Sequence, residues 1–219
     1  MNFGEMFLGK LKKRYQVREA DLKDNALLKK AGMKFAMRSF EVADLGHFFI
    51  MDMTGMLGAM NMETCVLAVD TKKVPLVNIG YVNAMGKESM MAEYYDLAHD
   101  VLPEGYPEKF EALKKADSAL EDYPAEEQWY NKYLLPFTYR KKGKKAREHF
   151  LKVAGQHVDV LLDMIEKAEP ADPEERQKIT LSFAQGLLDE GGPAINQFVK
   201  LFGRQKTEEV VKKCMYGVE

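Results

Sequence analysis

Residues 46–97 read GHFFIMDMTGMLGAMNMETCVLAVDTKKVPLVNIGYVNAMGKESMMAEYYDL. Phe, Ile, Val, Met and Tyr fill the runs, and short turns containing Gly, Lys or Asp break them. The runs are too short for helices and rich in strand formers, which predicts a meander of antiparallel strands over residues 47–53, 61–69, 75–85 and 89–97. Gly86-Lys87 reads as the hairpin turn between the last two. Apolar and polar positions alternate poorly, so helices are expected over both faces of the sheet. Asp52, Glu63, Asn78, Asn83, Glu93 and Asp96 lie within these strands. Each one carried under a helix needs a partner or a function.

The flanks read as helical. Phe3, Phe7, Leu11 and Tyr15, with Leu8 beside them, predict an amphipathic helix ending in the basic residues Lys10, Lys12, Lys13 and Arg14. Asp21 is placed to cap a second short helix carrying Leu22, Ala26 and Leu27, which stops near Gly32. Residues 33–42 then read as the first strand. Beyond the meander, Pro107 opens a helix bearing Phe110, Leu113, Ala116 and Leu120, closed by Tyr123-Pro124. Residues 126–135 predict a short helix presenting Trp129 and Tyr133, ended by Pro136. The basic run from Arg140 to Lys145 reads as an exposed loop. The longest helix follows, with Phe150, Val153, Leu161, Met164, Ile165 and Ala168 on one stripe. His157 shares that stripe, where a core role and a catalytic one both remain open. Asp172-Pro173-Glu174 opens the next helix, with Pro in the first turn and acids against the dipole. Its stripe of Ile179, Phe183, Gly186 and Leu187 brings Glu190 to the apolar side. Ile195, Phe198, Val199 and Phe202 form another, ended by Gly203, and Thr207 is placed to cap a last helix through Met215. Helix, meander, then helices is the order of an α+β fold, most simply a three-layer α/β/α sandwich forming a single domain over residues 1–219.

Composition narrows the function. A net charge of −2 over 219 residues argues against a nucleic-acid binder working through bulk charge. Cys65 and Cys214 offer no CxxC and no zinc spacing, so both are expected as buried thiols of a reducing cytosol, and no metal is expected. In the N-terminal stretch the charges follow the apolar part, the reverse of a secretory signal, and no apolar run reaches membrane-spanning length. The expectation is a cytoplasmic protein without nucleic-acid or membrane partners. Residues 84–89 superficially suggest a phosphate loop, but Tyr81 stands where its first glycine belongs and Glu88 where its hydroxyl belongs. No GxGxxG, HExxH or nucleophile elbow occurs. Met51, Met53, Met56, Met60, Met62, Met85, Met90 and Met91 crowd the meander. Thioethers fill irregular space and also suit large flat ligands, so with Tyr81, Tyr94 and Tyr95 they are either ordinary core or the wall of a roomy apolar pocket.

LGAMNMETCVLAV (57–69), PLVNIGYV (75–82) and, beyond Lys87, EYYDL (93–97) resemble the ferredoxin-dependent bilin reductases and the related red chlorophyll catabolite reductases. FAQGLLDE (183–190) followed by FVKLFG (198–203) is similar to that family's penultimate helices. The resemblance implies a linear tetrapyrrole held between the sheet and the C-terminal helices. It also implies electrons taken singly from ferredoxin, with no bound flavin or metal. The family's proton-donating His falls at Thr64 and its Asp at Gly80, so both groups are absent here. A third carboxylate lands near Asp52, and the acidic helix end lands on Asp189 or Glu190. Losing the His and the Asp removes the pair expected to protonate a bilin radical. Glu63 and Tyr81 neighbour the lost positions, yet one step along a strand reverses the face, so they need a bulge to reach the same pocket.

Under this resemblance Asp52, His157 and Glu190 are expected to converge as catalytic groups, one from the sheet and two from helices. Thr64, Gly80, Met62, Tyr81 and Asp189 are expected to touch the ligand. Lys10 to Arg14, Arg140 to Lys145, and Arg204, Lys206, Lys212 and Lys213 are expected to dock an acidic ferredoxin or flavodoxin. Three functions follow: a tetrapyrrole reductase, a non-catalytic carrier on the same fold, and a reductase of an unrelated apolar substrate.

Overall fold

The strand-forming runs pair as their composition demands. A computed structural model describes residues 1–123 and 127–219, and nine strands among them form one antiparallel sheet. These are β1 (Val17–Ala20), β2 (Leu27–Lys30), β3 (Met33–Val42), β4 (Gly46–Gly55), β5 (Met60–Val69), β6 (Leu76–Ala84), β7 (Lys87–Tyr95), β8 (Glu121–Asp122) and β9 (Tyr139–Gly143). Their order is β1-β3-β4-β5-β6-β7-β9-β8, with β2 also pairing β3. The expected meander is the centre of this sheet, and Met85-Gly86 turns β6 into β7 with both residues at positive φ.

Helices cover both faces. On one lie α1 (Phe3–Leu11), α2 (Tyr106–Ala116) and α3 (Arg147–Lys167), packing Phe3, Phe7, Phe110, Phe150 and Leu161 on Phe48, Ile79 and Tyr94. On the other lie α4 (Pro173–Asp189), α5 (Pro193–Phe202), α6 (Arg204–Glu209) and a wider π-type turn, Val210–Tyr216. This second layer packs Phe183, Leu187, Phe198 and Val211 on Phe35, Phe49, Met51 and Val66. The fold is thus the three-layer α/β/α sandwich. Asp172 opens α4 as expected, its Oδ1 accepting the Glu174 N–H at 2.9 Å. Cys65 and Cys214 are buried free thiols.

Four local expectations are corrected. Between Asp21 and Gly32 there is no α-helix but a single 3-10 turn, Lys23–Asn25, followed by β2, because Leu27 and Leu28 take cross-strand partners Ala36 and Phe35 on β3. Residues 33–42 are therefore the third strand. The basic run after Arg140 is not a loop: it forms β9, where Arg140 pairs with Glu93 and Lys141 reaches Leu120 O and Asp122. Long basic side chains lie along apolar surface when an acid meets the head, so the charges hide a strand. Trp129–Tyr133 is a 3-10 turn, and Pro124 and Glu126, expected to end one helix and begin another, lie outside the described residues. Thr207 does not cap the last helix; its hydroxyl donates to Gly203 O from within α6, and Gly203 at φ +84° begins the element.

The strand-borne polar groups now find their reasons. Glu63 accepts the Phe3 N–H at the start of α1 at 2.8 Å and pairs with Arg147 at 2.6 Å. Asp52 accepts from Asn2 Nδ2, while Asn2 Oδ1 caps α1 by accepting the Glu5 N–H. Asn83 accepts the Gly86 N–H in its turn, and Asp96 accepts the Asp100 N–H. Asn78 and Glu93 alone face the α4–α5 layer from the middle of the sheet.

Candidate functional site

Side-chain alternation puts Met51, Thr64, Gly80 and Met91 in one cross-strand row, and Val66, Asn78 and Glu93 in the next. Both rows face a cavity of about 300 Å³ between the sheet and the second helical layer. Phe183 and Leu187 from α4, Ile195 from α5, and Met215, Tyr216 and Tyr130 close it from the other side. Gly80 keeps the floor low: a Cβ there would lie 3.3 Å from Met91 Cε. Its φ is ordinary, so glycine here supplies space and not backbone freedom.

One end of this apolar space is polar. Glu93, buried, accepts from Asn78 Nδ2 at 2.8 Å, from the Tyr95 hydroxyl at 2.7 Å and from Arg140 Nε at 2.8 Å, with Arg140 Nη2 at 2.5 Å. Four donor atoms thus converge on one buried carboxylate. The Asn78 amide turns its nitrogen toward the Glu93 oxygen that accepts it, and Asn78 Oδ1 is left buried with no partner among the described residues. Burial first, and then the Glu93 charge, pushes the Tyr95 phenol up; burial, Glu93 and Tyr130 do the same to Tyr216. Both phenols stay protonated. The arrangement offers a flat apolar bed, an unfilled acceptor and neutral O–H groups.

The expected site residues divide. Thr64, Gly80 and Met62 line the cavity. Tyr81 lies on the opposite face, its ring stacked on Phe3 at 5.1 Å under Arg147; β5 and β6 carry no bulge that would turn it. Asp52 shares that face, in a separate cleft of about 360 Å³ with Asn2, Glu63 and Arg147. Burial, followed by the Glu63 and Glu5 charges, raises its pKa. His157 lies on the buried face of α3, its Nδ1 2.8 Å from the Tyr94 hydroxyl, and burial pushes its pKa down to about 4. Glu190 is exposed at the end of α4, beside a surface cleft with Trp129, Lys132 and Gly186. Asp189 is exposed and accepts from Arg204 and Gln185, which lower its pKa, hydrogen bonding first. Asp52, His157 and Glu190 therefore do not converge, because the sheet separates the first two from the cavity and Glu190 points to solvent.

The groups that reach the cavity with hydrogen-bonding capacity include Asn78, Glu93, Tyr95 and Tyr216, with the hydroxyls of Thr64 and Tyr130 beside them. Asn78 and Glu93 stand out in the sequence as polar residues in a buried strand, but their partner Arg140 is hidden in the basic run. Among the described residues no group of three His, Cys, Asp or Glu side chains is placed to hold a metal ion.

No family model matches the sequence, and no curated protein matches it. The fold does have a match in phytochromobilin synthase from tomato, solved in complex with biliverdin. The likeness has a TM-score of 0.77 and covers 97% of this chain and 81% of that one, at 12% sequence identity. At that identity the likeness is one of fold: this chain has the α/β/α architecture of a protein solved with a linear tetrapyrrole.

Proposed function

We propose that the cavity binds a linear tetrapyrrole or a similarly large, flat, conjugated molecule, on a divergent bilin-reductase-like chain. The observation that carries the reading is the cavity itself, set between the sheet and the late helices and walled by Met51, Met62, Met91 and Met215, with a buried polar cluster at one end. About 300 Å³ is the small end of ligand-sized cavities. Four methionines, each with three rotatable bonds, let the space widen around a larger guest. Asn78 Oδ1 supplies an acceptor for a pyrrole or lactam N–H, and that hydrogen bond repairs an otherwise costly buried orphan.

Binding without turnover, as a carrier, fits the floor best. Thr64 and Gly80 oppose one another there and bring neither acid nor base. Tyr95 and Tyr216 favour a second reading, in which the bound pigment is reduced one electron at a time by ferredoxin. Each electron added to the pigment needs one proton, and these two phenols hold protons at the cavity wall. Docking of an acidic donor has less support than the sequence suggested. Lys10, Arg14, Lys142, Arg204 and Lys212 already pair with acids of this chain, and Arg140 is turned inward.

Titration with biliverdin tests the proposal by absorbance. A saturable, red-shifted or sharpened band at one pigment per chain is expected, and an unchanged spectrum refutes it. Adding reduced ferredoxin then separates the two readings, since bleaching that requires the protein identifies the reductase and a stable spectrum the carrier.

A further inference from the structure

At one end of the sheet the β2–β3, β4–β5 and β6–β7 turns and the end of β9 come together. Six strand spacings separate β2 from β9, so at about 4.8 Å each this rim is about 30 Å long. Its most prominent side chains are apolar: Met56 is 61% exposed, Leu57 108% and Met85 75%. The Met85 N–H donates to Ala59 O at 2.8 Å, tying the two apolar turns into one projection.

The backbone makes this harder to dismiss as chance. Met56, Leu57 and Met85 adopt φ of +51°, +53° and +52°, the left-handed region that glycine or asparagine fills at lower cost. The chain instead holds large apolar side chains there, pointing into water. Strain and exposed apolar surface retained together indicate a surface that works when covered.

The charges on the rim choose the cover. Lys29, Lys30, Lys34, Lys87, Lys144 and Lys145 are exposed on these turns and strand ends. The nearby ion pairs go to Lys141, Lys142 and Arg147, and those six lysines make none among the described residues. Of the acids near this end, Glu63 is taken by Arg147, Glu88 accepts the Ala146 N–H, Asp52 accepts from Asn2, and the exposed Glu121 and Asp122 on β8 pair with Lys142 and Lys141, which leaves Glu148 exposed in the first turn of α3. Methionine is common at protein interfaces, but six lysines outside any ion pair run against one, since lysine is depleted there, and the described residues of this rim add no exposed aromatic anchor. Lysine as a mobile point charge suits a diffuse layer of anionic headgroups, and flexible aliphatic tips suit the acyl boundary beneath it.

We propose that this rim is a peripheral docking surface for an anionic lipid bilayer, with Met56, Leu57 and Met85 entering the headgroup–acyl boundary and the six lysines lying over anionic headgroups. No helix among the described residues is long and apolar enough to cross a membrane, and a contact of this kind needs none. It revises the expectation of no membrane partner, and it stands independently of what fills the cavity.

Flotation of the full chain with phosphatidylcholine vesicles, with and without about one-third phosphatidylserine, reads the proposal directly. The chain is expected to float with the anionic vesicles only, and less so as salt shortens the screening length. Lys30→Gln with Lys87→Gln is expected to weaken binding roughly fivefold for each lysine lost. Met56→Ser with Leu57→Ser and Met85→Ser is expected to weaken it by at least about tenfold. All five positions are exposed, and an unchanged melting temperature confirms that each variant is folded. Absence of flotation with anionic vesicles at low salt overturns the proposal. So does binding by both variants as tight as the parent chain's, or a Leu57-dependent dimer in sedimentation velocity without vesicles, which would assign the rim to a second copy of the chain.

Discussion

Thr64 on β5 and Gly80 on β6 pair directly across the sheet, and both face the cavity. By the sequence resemblance the bilin-reductase family's proton-donating His and its Asp would fall at these two positions, which here carry a hydroxyl and no side chain. The pair makes the floor low and free of acid or base, so under the proposed function the polar contacts to a pigment fall to the Asn78–Glu93–Tyr95–Arg140 cluster one row away.

Depth at Gly80 is the first property to test. A leucine there pushes against Met91 Cε, the mobile end of a flexible chain, so the protein accommodates it by filling its own cavity. Gly80→Leu is expected to lower biliverdin affinity by at least about tenfold, or about 1.4 kcal/mol, in an absorbance titration. Its melting temperature should change little. Unaltered affinity in the folded variant would place the pigment elsewhere.

Asp52→Asn supplies the converse. The sheet stands between this carboxylate and the cavity, so pigment binding should stay within about twofold of the parent chain, a change well under 1 kcal/mol. A large loss would mean that the cleft of Asp52, Glu63 and Arg147 is the binding site.

Arg140 and Glu93 make a buried ion pair in which each partner depends on the other. Arg140→Met leaves the carboxylate with Asn78 and Tyr95 alone, and urea unfolding should show a loss of about 3 kcal/mol. Adding Glu93→Gln removes the stranded charge and should restore more than half of that loss. Strictly additive losses in the double variant would argue against the coupling.

His157 makes stability depend on pH. Its folded-state pKa is pushed down to about 4, while the imidazole of an unfolded chain titrates near 6.5. Between these values the unfolded state binds a proton that the folded state refuses. Its contribution is therefore complete above pH 6.5 and is lost as the pH falls, reaching about 3 kcal/mol near pH 4. His157→Gln keeps a partner for the Tyr94 hydroxyl and does not titrate, so its stability should fall less steeply from pH 7 to pH 4.5. Parallel curves for the two proteins would show that His157 is not the group responsible.

The central meander was legible because each of its runs is short, apolar and punctuated by turns. The helices at Pro107, Asp172 and Ile195 were legible from apolar spacing, and the Asp172 one from its cap, but the first ends at Ala116 instead of carrying Leu120 on toward Tyr123, because Glu121 and Asp122 pair with β9. Local signals failed where a distant partner decided the outcome: β2 exists because β3 pairs with it, and β9 because Glu93 and Asp122 neutralise its basic side chains. The site was legible in halves. Thr64, Gly80 and Met62 reach the cavity because strand alternation fixes their face, and that same alternation puts Asp52 and Tyr81 on the other. Asn78 and Glu93 were visible as misplaced polar residues, but their role depends on Arg140, which sequence distance conceals.

A crystal structure of the chain with biliverdin would locate the pigment. The pigment is expected over Thr64 and Gly80, beneath α4 and α5, with a pyrrole or lactam N–H within hydrogen-bonding distance of Asn78 Oδ1. Pigment lying instead in the surface cleft beside Trp129 and Glu190, with the cavity closed by its methionines, would contradict the proposed function.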